Sequence, residues 1–301
     1  MPDPTNFRAG FAILVGRTNV GKSTLLNALV GTKIAIVTPR PQTTRDTYHG
    51  IVHRPGGQIV FVDTPGLFKT APSRLVSNLH HKVRDALEGI DVLLHVVDPS
   101  RPVGPEDRRV MEMVAQATKP KVLCLNKSDL SRRPFRHQWL AQAQAPTAVG
   151  APPKYAAVFE VSGLRGTGID LLIETVLGLL PVGPAQYPDG QVTNVTNEFW
   201  LAELIREKVY LLTGDEVPYT ASVQVEQIED RKDKTGQPLV YIKAAILTID
   251  DRHQRMLIGA GGRKVREIGS AARHELEGAM NRKVFLDLTV VIDDQWMDRM
   301  E

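Results

Sequence analysis

The stretch Gly16-Arg17-Thr18-Asn19-Val20-Gly21-Lys22-Ser23 narrows the choice of fold more than any other in this chain. It spells G-x-x-x-x-G-K-S directly after an apolar, β-rich run, Phe11–Val15, and at the head of a helical stretch, Lys22–Val30. A loop that wraps a diphosphate needs inward-facing backbone N–H groups with no side chains in the way. The helix N-terminus behind it adds favourable partial charge. In such a loop Lys22 reaches the β- and γ-phosphates, the Ser23 hydroxyl ligates Mg²⁺, and Thr24 completes the phosphate-binding set.

The surrounding sequence supplies the sheet that such a loop requires. Up to about residue 180, β-rich runs (Phe11–Val15, Thr47–Val52, Ile59–Val62, Val92–Val97, Val122–Leu125, Ala157–Val161) alternate with helical stretches. The helices are expected at Lys22–Val30, Arg74–Leu87, Pro105–Ala117, Phe135–Gln144 and Ile169–Leu180. This alternation predicts an α/β, doubly wound sheet of parallel strands, and the continuous apolar runs predict strands covered on both faces. With 301 residues, and about 150 per domain, roughly two domains are expected. Pro181, Pro184, Pro188, Gly183 and Gly190 crowd the next stretch, so a first domain is expected over 1–182, a linker over 183–192 and a second domain over 193–301.

Three further segments fall where a doubly wound sheet places ligands, at the carboxyl ends of strands. Asp63-Thr64-Pro65-Gly66 offers a carboxylate for Mg²⁺ and, at Gly66, a backbone N–H for a γ-phosphate. Asn126-Lys127-Ser128-Asp129 offers acceptor oxygens at Asp129 for the ring N–H and exocyclic amine that guanine, but not adenine, presents on one edge. Asn126 is placed to brace the loop, and the Lys127 stem to cover the base. Ser162-Gly163 offers a backbone N–H to the guanine carbonyl. Between the loop and Asp63, the polar segment Pro41–Asp46 suits a mobile switch in which Thr44, rather than Thr43, completes the Mg²⁺ shell. Lys22, Thr44 and Gly66 are the groups expected to act on the reacting phosphate.

The second half changes character. Residues 1–185 carry 22 basic and 14 acidic side chains, and residues 186–301 carry 15 and 20. Within that acidic half, residues 252–283 hold eight basic and three acidic side chains, a local cationic surface where a polyanion can dock. On charge alone a solvated helix face explains them as well. The expected order is one helix (Glu198–Leu211), two strands (Ala221–Glu229, Val240–Thr248), two helices around a Gly-rich turn (His253–Ile258, Lys264–Met280) and a strand (Lys283–Ile292), an α+β unit. Val265, Ile268, Ala272 and Leu276 recur at helical spacing as a core stripe. The composition, 42% hydrophobic and 24% charged, argues against wholesale disorder or a membrane bundle. The single cysteine, Cys124, excludes an intrachain disulfide, and a cytoplasmic setting is expected.

The four loops together resemble the translation-factor-like GTPases, and Asn19-Val20 with Thr43-Thr44-Arg45-Asp46 is similar to the Era and TrmE side of that group. Ile258-Gly259-Ala260-Gly261-Gly262-Arg263-Lys264 resembles the I-G-x-x-G segment of type II KH domains, whose turn admits a single-stranded nucleic-acid backbone. A GTPase domain followed by that KH type, ending in Val284–Ile292 and Trp296, resembles the Era family over nearly the whole chain. The resemblance implies GTP/GDP and Mg²⁺ as ligands and slow intrinsic hydrolysis. It also implies binding of the 3′ end of small-subunit (16S) rRNA with assistance to 30S subunit assembly, by a monomer in the cytoplasm with peripheral membrane association. K⁺ activation through Asn19 is a further implication. Arg263, Lys264, Arg266 and Arg273 become the expected phosphate contacts. Four positions depart from the pattern: Thr18 where proline is usual, Leu67 where Ras-like proteins carry a glutamine, Gly163 for alanine, and Ala260 for a basic residue. Two alternatives stay open: a signalling switch whose second domain binds a protein or membrane surface, and a P-loop kinase.

Overall fold

A computed structural model describes residues 6–40, 43–45, 47–63, 89–148, 150, 152–214, 216–297 and 299. The expected helix at 74–87, together with Pro41, Gln42, Asp46, Thr64, Pro65, Gly66 and Leu67, lies outside the described residues. The chain divides into two compact units, residues 1–194 and 195–301.

Among its described residues the first unit has six strands: β1 (Arg8–Val15), β2 (Tyr48–Arg54), β3 (Gly57–Asp63), β4 (Val92–Val97), β5 (Lys121–Leu125) and β6 (Ala157–Glu160). Its helices are α1 (Lys22–Val30), α2 (Pro105–Gln116), α3 (Arg136–Gln144) and α4 (Ile169–Leu179). The strand order is β2-β3-β1-β4-β5-β6. Neighbours from β3 to β6 are parallel, but β2 and β3 run antiparallel, which corrects the all-parallel expectation. The cause is local: only Pro55 and Gly56, the latter at φ 86°, separate the two strands. A parallel crossover needs a dozen residues or more.

β3, β4 and β5 are buried along their whole length, and Ile13, Val15, Val62 and Leu93 pack against Val110 and Val114 of α2. Each such side chain contributes about 1.5–3 kcal/mol on full burial. β6 departs from the both-faces-covered expectation: it is the outer strand, and Val158 is exposed.

Residues 183–192, expected as a linker, pack onto the first unit instead. Gln58, fully buried on β3, accepts from the backbone N–H groups of Gln186 (2.7 Å) and Tyr187 (3.0 Å) and donates to the Tyr187 carbonyl (2.8 Å). The Ile51 N–H donates to the Val192 carbonyl at 2.9 Å, and Thr193 bridges to Gly50. Proline and glycine exclude a helix here but not an extended strap, and polar partners on β2 and β3 hold it in place.

The second unit comprises α5 (Asn197–Leu212), α6 (Val217–Thr220), β7 (Ala221–Lys232), β8 (Pro238–Thr248), α7 (Asp251–Ile258), α8 (Arg263–Met280) and β9 (Val284–Ile292). The sheet order is β7-β8-β9, with β7–β8 antiparallel and β8–β9 parallel. Val209, Ile246, Leu257 and Ile268 form its core. Ile268, Ala272 and Leu276 are fully buried, whereas Val265 is only partly buried and lines a cleft, correcting its assignment to the core stripe. Among the described residues no helix is long and apolar enough to cross a membrane.

Candidate functional site

The phosphate loop leaves β1 and enters α1 through Gly21, which has φ 93°. Lys22 is buried and folds back over the loop, its Nζ donating to the carbonyls of Gly16 (3.0 Å) and Arg17 (3.2 Å). Burial lowers its pKa, and the nearby Asp63 carboxylate opposes that shift. The Ser23 hydroxyl donates to Asp63 Oδ2 at 2.6 Å, which leaves Thr44 Oγ1, at 2.9 Å, as donor to Ser23. Of the two adjacent threonines, Thr44 thus joins Ser23 and Asp63. Thr43 turns away to the Arg40 carbonyl (2.9 Å) and the Thr38 hydroxyl (2.6 Å). Three hard oxygen donors converge on one point, the set that Mg²⁺ prefers. The loop, together with Ile36, Val37, Thr38, Arg40, Thr43 and Thr44, lines a cavity of about 60 Å³.

Asn126 locks this loop to the far side of the pocket. Its amide donates to the carbonyls of Val20 (3.0 Å) and Gly21 (3.3 Å), and its Oδ1 accepts from the Gly163 N–H at 3.1 Å. In this arrangement the Gly163 N–H donates to Asn126 and the Ser162 N–H to the Thr167 carbonyl at 3.0 Å. The Ser162 hydroxyl instead donates to Asp129 Oδ1, fixing the carboxylate expected to read guanine. Glycine rather than alanine at 163 has a steric reason, since a Cβ there would lie 2.8 Å from the Leu25 amide nitrogen and 2.9 Å from its Cα.

Two acidic residues that the sequence reading did not single out hold the loop from behind. Asp98, at the end of β4 and 1% exposed, accepts from Lys127 Nζ at 2.7 Å and from the Ser100 N–H (2.9 Å) and hydroxyl (2.6 Å). Burial by itself raises the Asp98 carboxyl, but the hydrogen bonds from Lys127 and Ser100 outweigh it and hold the group below the usual carboxylate range. Lys127 also donates to the Asn19 carbonyl at 3.1 Å, and both residues are in the left-handed region, at φ 61° and 62°. Asp107 pairs with Arg17 at 3.1 Å while accepting from the Gly104 N–H at 2.9 Å. Burial raises its pKa. The available signal for Asp98 was its place at the carboxyl end of a buried strand.

In the second unit, α7 ends at Ile258, residues Ala260–Gly262 make one 3₁₀ turn, and α8 starts at Arg263. Gly259 has φ 69°, and a Cβ on it would lie 2.8 Å from that of Lys264. Arg266 donates to the carbonyls of Gly261 (2.6 Å) and Gly262 (3.1 Å), so it holds the turn in shape. Lys264 pairs with Glu267 at 2.7 Å, and Arg263 and Arg273 are exposed. Between α8 and β9 lies a cleft of about 330 Å³, with Arg266, Gly269, Ser270 and Arg273 on one wall and Phe285, Leu286 and Leu288 on the other.

Comparison with known proteins adds to this geometry. The family described as "50S ribosome-binding GTPase" matches residues 11–127, and the KH domain family matches residues 216–297. The GTPase Era of Halothermothrix orenii is 39% identical over 98% of this chain and 96% of its own length. That of Mycobacterium avium is 39% identical over 97% and 96%.

The chain belongs to the Era family of GTPases. As an Era-family protein it is a GTP-hydrolysing enzyme that uses GTP, GDP and Mg²⁺. Two solved Era structures are each similar at 31% identity and a TM-score of 0.83, covering 97% of this chain and 96% of the other. One is Era in complex with MgGDPNP and nucleotides 1506–1542 of 16S ribosomal RNA, and the other is a variant of Aquifex aeolicus Era bound to GDP·AlF4⁻.

Proposed function

We propose that this chain is a GTP-gated RNA-binding factor that takes the 3′ end of small-subunit rRNA in its second unit and assists assembly of the 30S subunit. The observation that carries the reading is similarity over nearly the full length to Era in complex with that RNA segment. An Arg-walled cleft beside a turn with no room for a Cβ at Gly259 supports it. Arg263, Lys264, Arg266 and Arg273 provide the cations, and Ile258 and Gly259–Gly262 the close approach to the strand. The cleft favours RNA over the signalling-switch alternative because its wall is cationic although the unit as a whole is acidic. The factor works in the cytoplasm, and a peripheral contact with the inner membrane face belongs to the same reading.

In the first unit, Gly16–Thr24 cradle the phosphates, with Lys22 on the β- and γ-phosphates and Asp129 on the guanine edge. Ser23, Thr44 and Asp63 hold Mg²⁺, which supplies charge neutralisation between the phosphates when bound. Thr64, Pro65 and Gly66 are assigned to the γ-phosphate on the sequence alone, with the Gly66 N–H as its contact. Asn126, Lys127, Ser162 and Gly163 fix the loops rather than touch the reacting atoms. With Leu67 in place of a water-orienting glutamine, turnover depends on other groups for positioning. K⁺ is a candidate for part of that role. Asn19 Nδ2 donates to the Pro39 carbonyl at 2.8 Å, which ties the loop to the chain just before the switch segment and does not use the side-chain Oδ1. Turnover is expected to be faster in K⁺ than in Na⁺ at equal ionic strength, and equal rates remove the ion from the reading.

The test of the main reading is crosslinking to rRNA with GTP or GDP bound, comparing the wild type with Gly261→Asp. At Gly261 a Cβ meets nothing within 4 Å, so the variant adds a carboxylate without a steric clash, at the cost of some backbone strain at φ 59° that aspartate bears better than most residues. Crosslinks confined to the 3′ end and lost in the variant are expected. Labelling spread over unrelated RNAs, or unchanged by the substitution, refutes the RNA assignment.

A further inference from the structure

Beside the phosphate loop, Thr38, Arg40 and Thr43 close a ring of hydrogen bonds. The Arg40 N–H donates to the Thr38 hydroxyl at 3.2 Å. Thr43 Oγ1 donates to the Arg40 carbonyl at 2.9 Å, so in the 2.6 Å contact between the two hydroxyls Thr38 is the donor. Both backbone polar groups of Arg40 are thus clamped by threonine side chains. The carbonyl of the preceding residue, Pro39, accepts from Asn19 of the phosphate loop at 2.8 Å. Four residues after Arg40 comes Thr44, 2.9 Å from the Ser23 hydroxyl. The Arg40 side chain lines the same cavity as Lys22, Ser23 and Thr44. The neighbouring arginines are placed elsewhere: Arg17 pairs with Asp107 at 3.1 Å, and Arg45 is buried at 2% exposure and is not part of the cavity wall.

We propose that Arg40 is a catalytic residue of GTP hydrolysis, an arginine supplied by the chain itself whose guanidinium donates hydrogen bonds to the phosphate oxygens that gain charge. The role rests on the reading of this pocket as the triphosphate and Mg²⁺ site. Water attacks the γ-phosphorus, the bond from that phosphorus to the β–γ bridging oxygen breaks, and the electron pair stays on GDP. Arg40 transfers no proton in this step. Its task is electrostatic, since a loose phosphoryl-transfer transition state leaves the protein little covalent work and rewards a well-placed cation. A guanidinium suits the task because its planar fork meets two oxygens at once and it stays charged throughout the working pH range. The threonine ring sets the backbone from which it reaches, so less reorganisation is needed when the charge appears. Leu67, in the place of a water-orienting glutamine, has no polar group to share this work.

The experiment uses the full chain with Mg²⁺ and compares Arg40→Ala and Arg40→Lys with the wild type. Three quantities are read: steady-state turnover, GDP affinity, and binding of GDP with aluminium fluoride, which imitates the phosphoryl group in transfer. Arg40→Ala is expected to lower kcat roughly tenfold to a hundredfold, short of the roughly 10³–10⁵-fold that an arginine donated by a partner protein supplies. Its KM and GDP affinity should stay within about threefold of the wild type, as expected when an interaction made in the transition state is lost. The aluminium fluoride complex should be lost while GDP alone still binds. Arg40→Lys keeps the charge without the fork and should regain part of the rate. Millimolar guanidinium chloride should raise turnover of Arg40→Ala, whereas NaCl at equal ionic strength should not. A residue that only shapes the loop would lose GDP affinity together with kcat and ignore guanidinium. Turnover of Arg40→Ala within about threefold of the wild type, or a fall in GDP affinity as large as the fall in kcat, overturns the proposal. Ser23→Ala tells the two readings apart. If it is inactive while Arg40→Ala is not, only the role of Arg40 falls; if it turns over like the wild type, the pocket assignment fails and Arg40 with it.

Discussion

The nucleotide pocket and the RNA cleft bind phosphates by opposite strategies. In the pocket the polar groups are buried and already engaged with one another. Asn126 holds two loop carbonyls and the Gly163 amide, Asp98 holds Lys127, and Ser23 lies between Asp63 and Thr44. In the cleft the cations stand at the surface, and the contacts that shape it are few: Arg266 on the turn carbonyls and Lys264 on Glu267. The first arrangement suits one small ligand recognised by every edge. The second suits a polymer that must be gripped along its length and released. Buried networks should therefore fail steeply when one member is lost, and surface contacts gradually.

The steepest failure is expected at Asn126. Replacing it with alanine strands the buried Val20 carbonyl and the Gly163 amide, each costing about 1–3 kcal/mol, while the Gly21 carbonyl keeps the Leu25 N–H. Urea unfolding of Asn126→Ala should show a loss of about 3 kcal/mol or more, and calorimetric titration with GDP an affinity down by roughly a hundredfold. Affinity within about threefold of the wild type would mean that the backbone alone holds the loop.

His95, buried on β4 with Nδ1 2.6 Å from the Tyr155 hydroxyl, tests burial by pH. Burial lowers its pKa from 6.5 to about 3. Below pH 6.5 the unfolded chain binds a proton that the folded one refuses. The stabilisation is therefore complete above 6.5 and lost toward pH 3, at up to about 1.4 kcal/mol per pH unit. Stability measured against pH for the wild type and His95→Gln should converge as pH falls from 6.5. Parallel curves would exclude His95 as the titrating group.

Asp98→Asn keeps an acceptor beside Lys127 but removes the charge. GDP affinity should drop about tenfold, in keeping with the roughly 1.5–3 kcal/mol of a hydrogen bond to a charged group. Unchanged binding would show that Asn19 alone positions Lys127.

In the cleft, Arg273→Gln should weaken RNA binding evenly across sequences and reduce the salt slope by about 0.7, the value for one phosphate contact on a single strand. An unaltered slope would assign Arg273 to the solvated face that its charge alone suggests. This is the smallest of the four effects, as an open surface predicts.

Residues whose role is local could be read from the chain itself. The run Gly16–Ser23 identifies its own loop because a turn, a cation and a hydroxyl must follow one another in order. The apolar runs of β3, β4 and β5 mark strands that are covered on both faces. What stayed hidden depends on partners far away in sequence. The hairpin direction of β2 looks the same as a parallel strand until the two-residue turn after it is counted. Asp98 gains meaning only because β4 and β5 lie side by side and bring it to Lys127. The Gly163 amide looks free until Asn126 is seen to occupy it. Phe285 reads as one more apolar strand residue, and only the β8–β9 register shows that its ring stacks on Tyr241.

The strap on β2 has a practical corollary for anyone dividing the protein. A fragment cut at residue 182, where proline and glycine suggest a safe end, would strip Gln58 of three hydrogen bonds inside the sheet and bare the outer side of β2 to pairing with other molecules. Extending the same fragment to Asn194 keeps that side sealed, so the shorter piece should aggregate and the longer one stay dispersed.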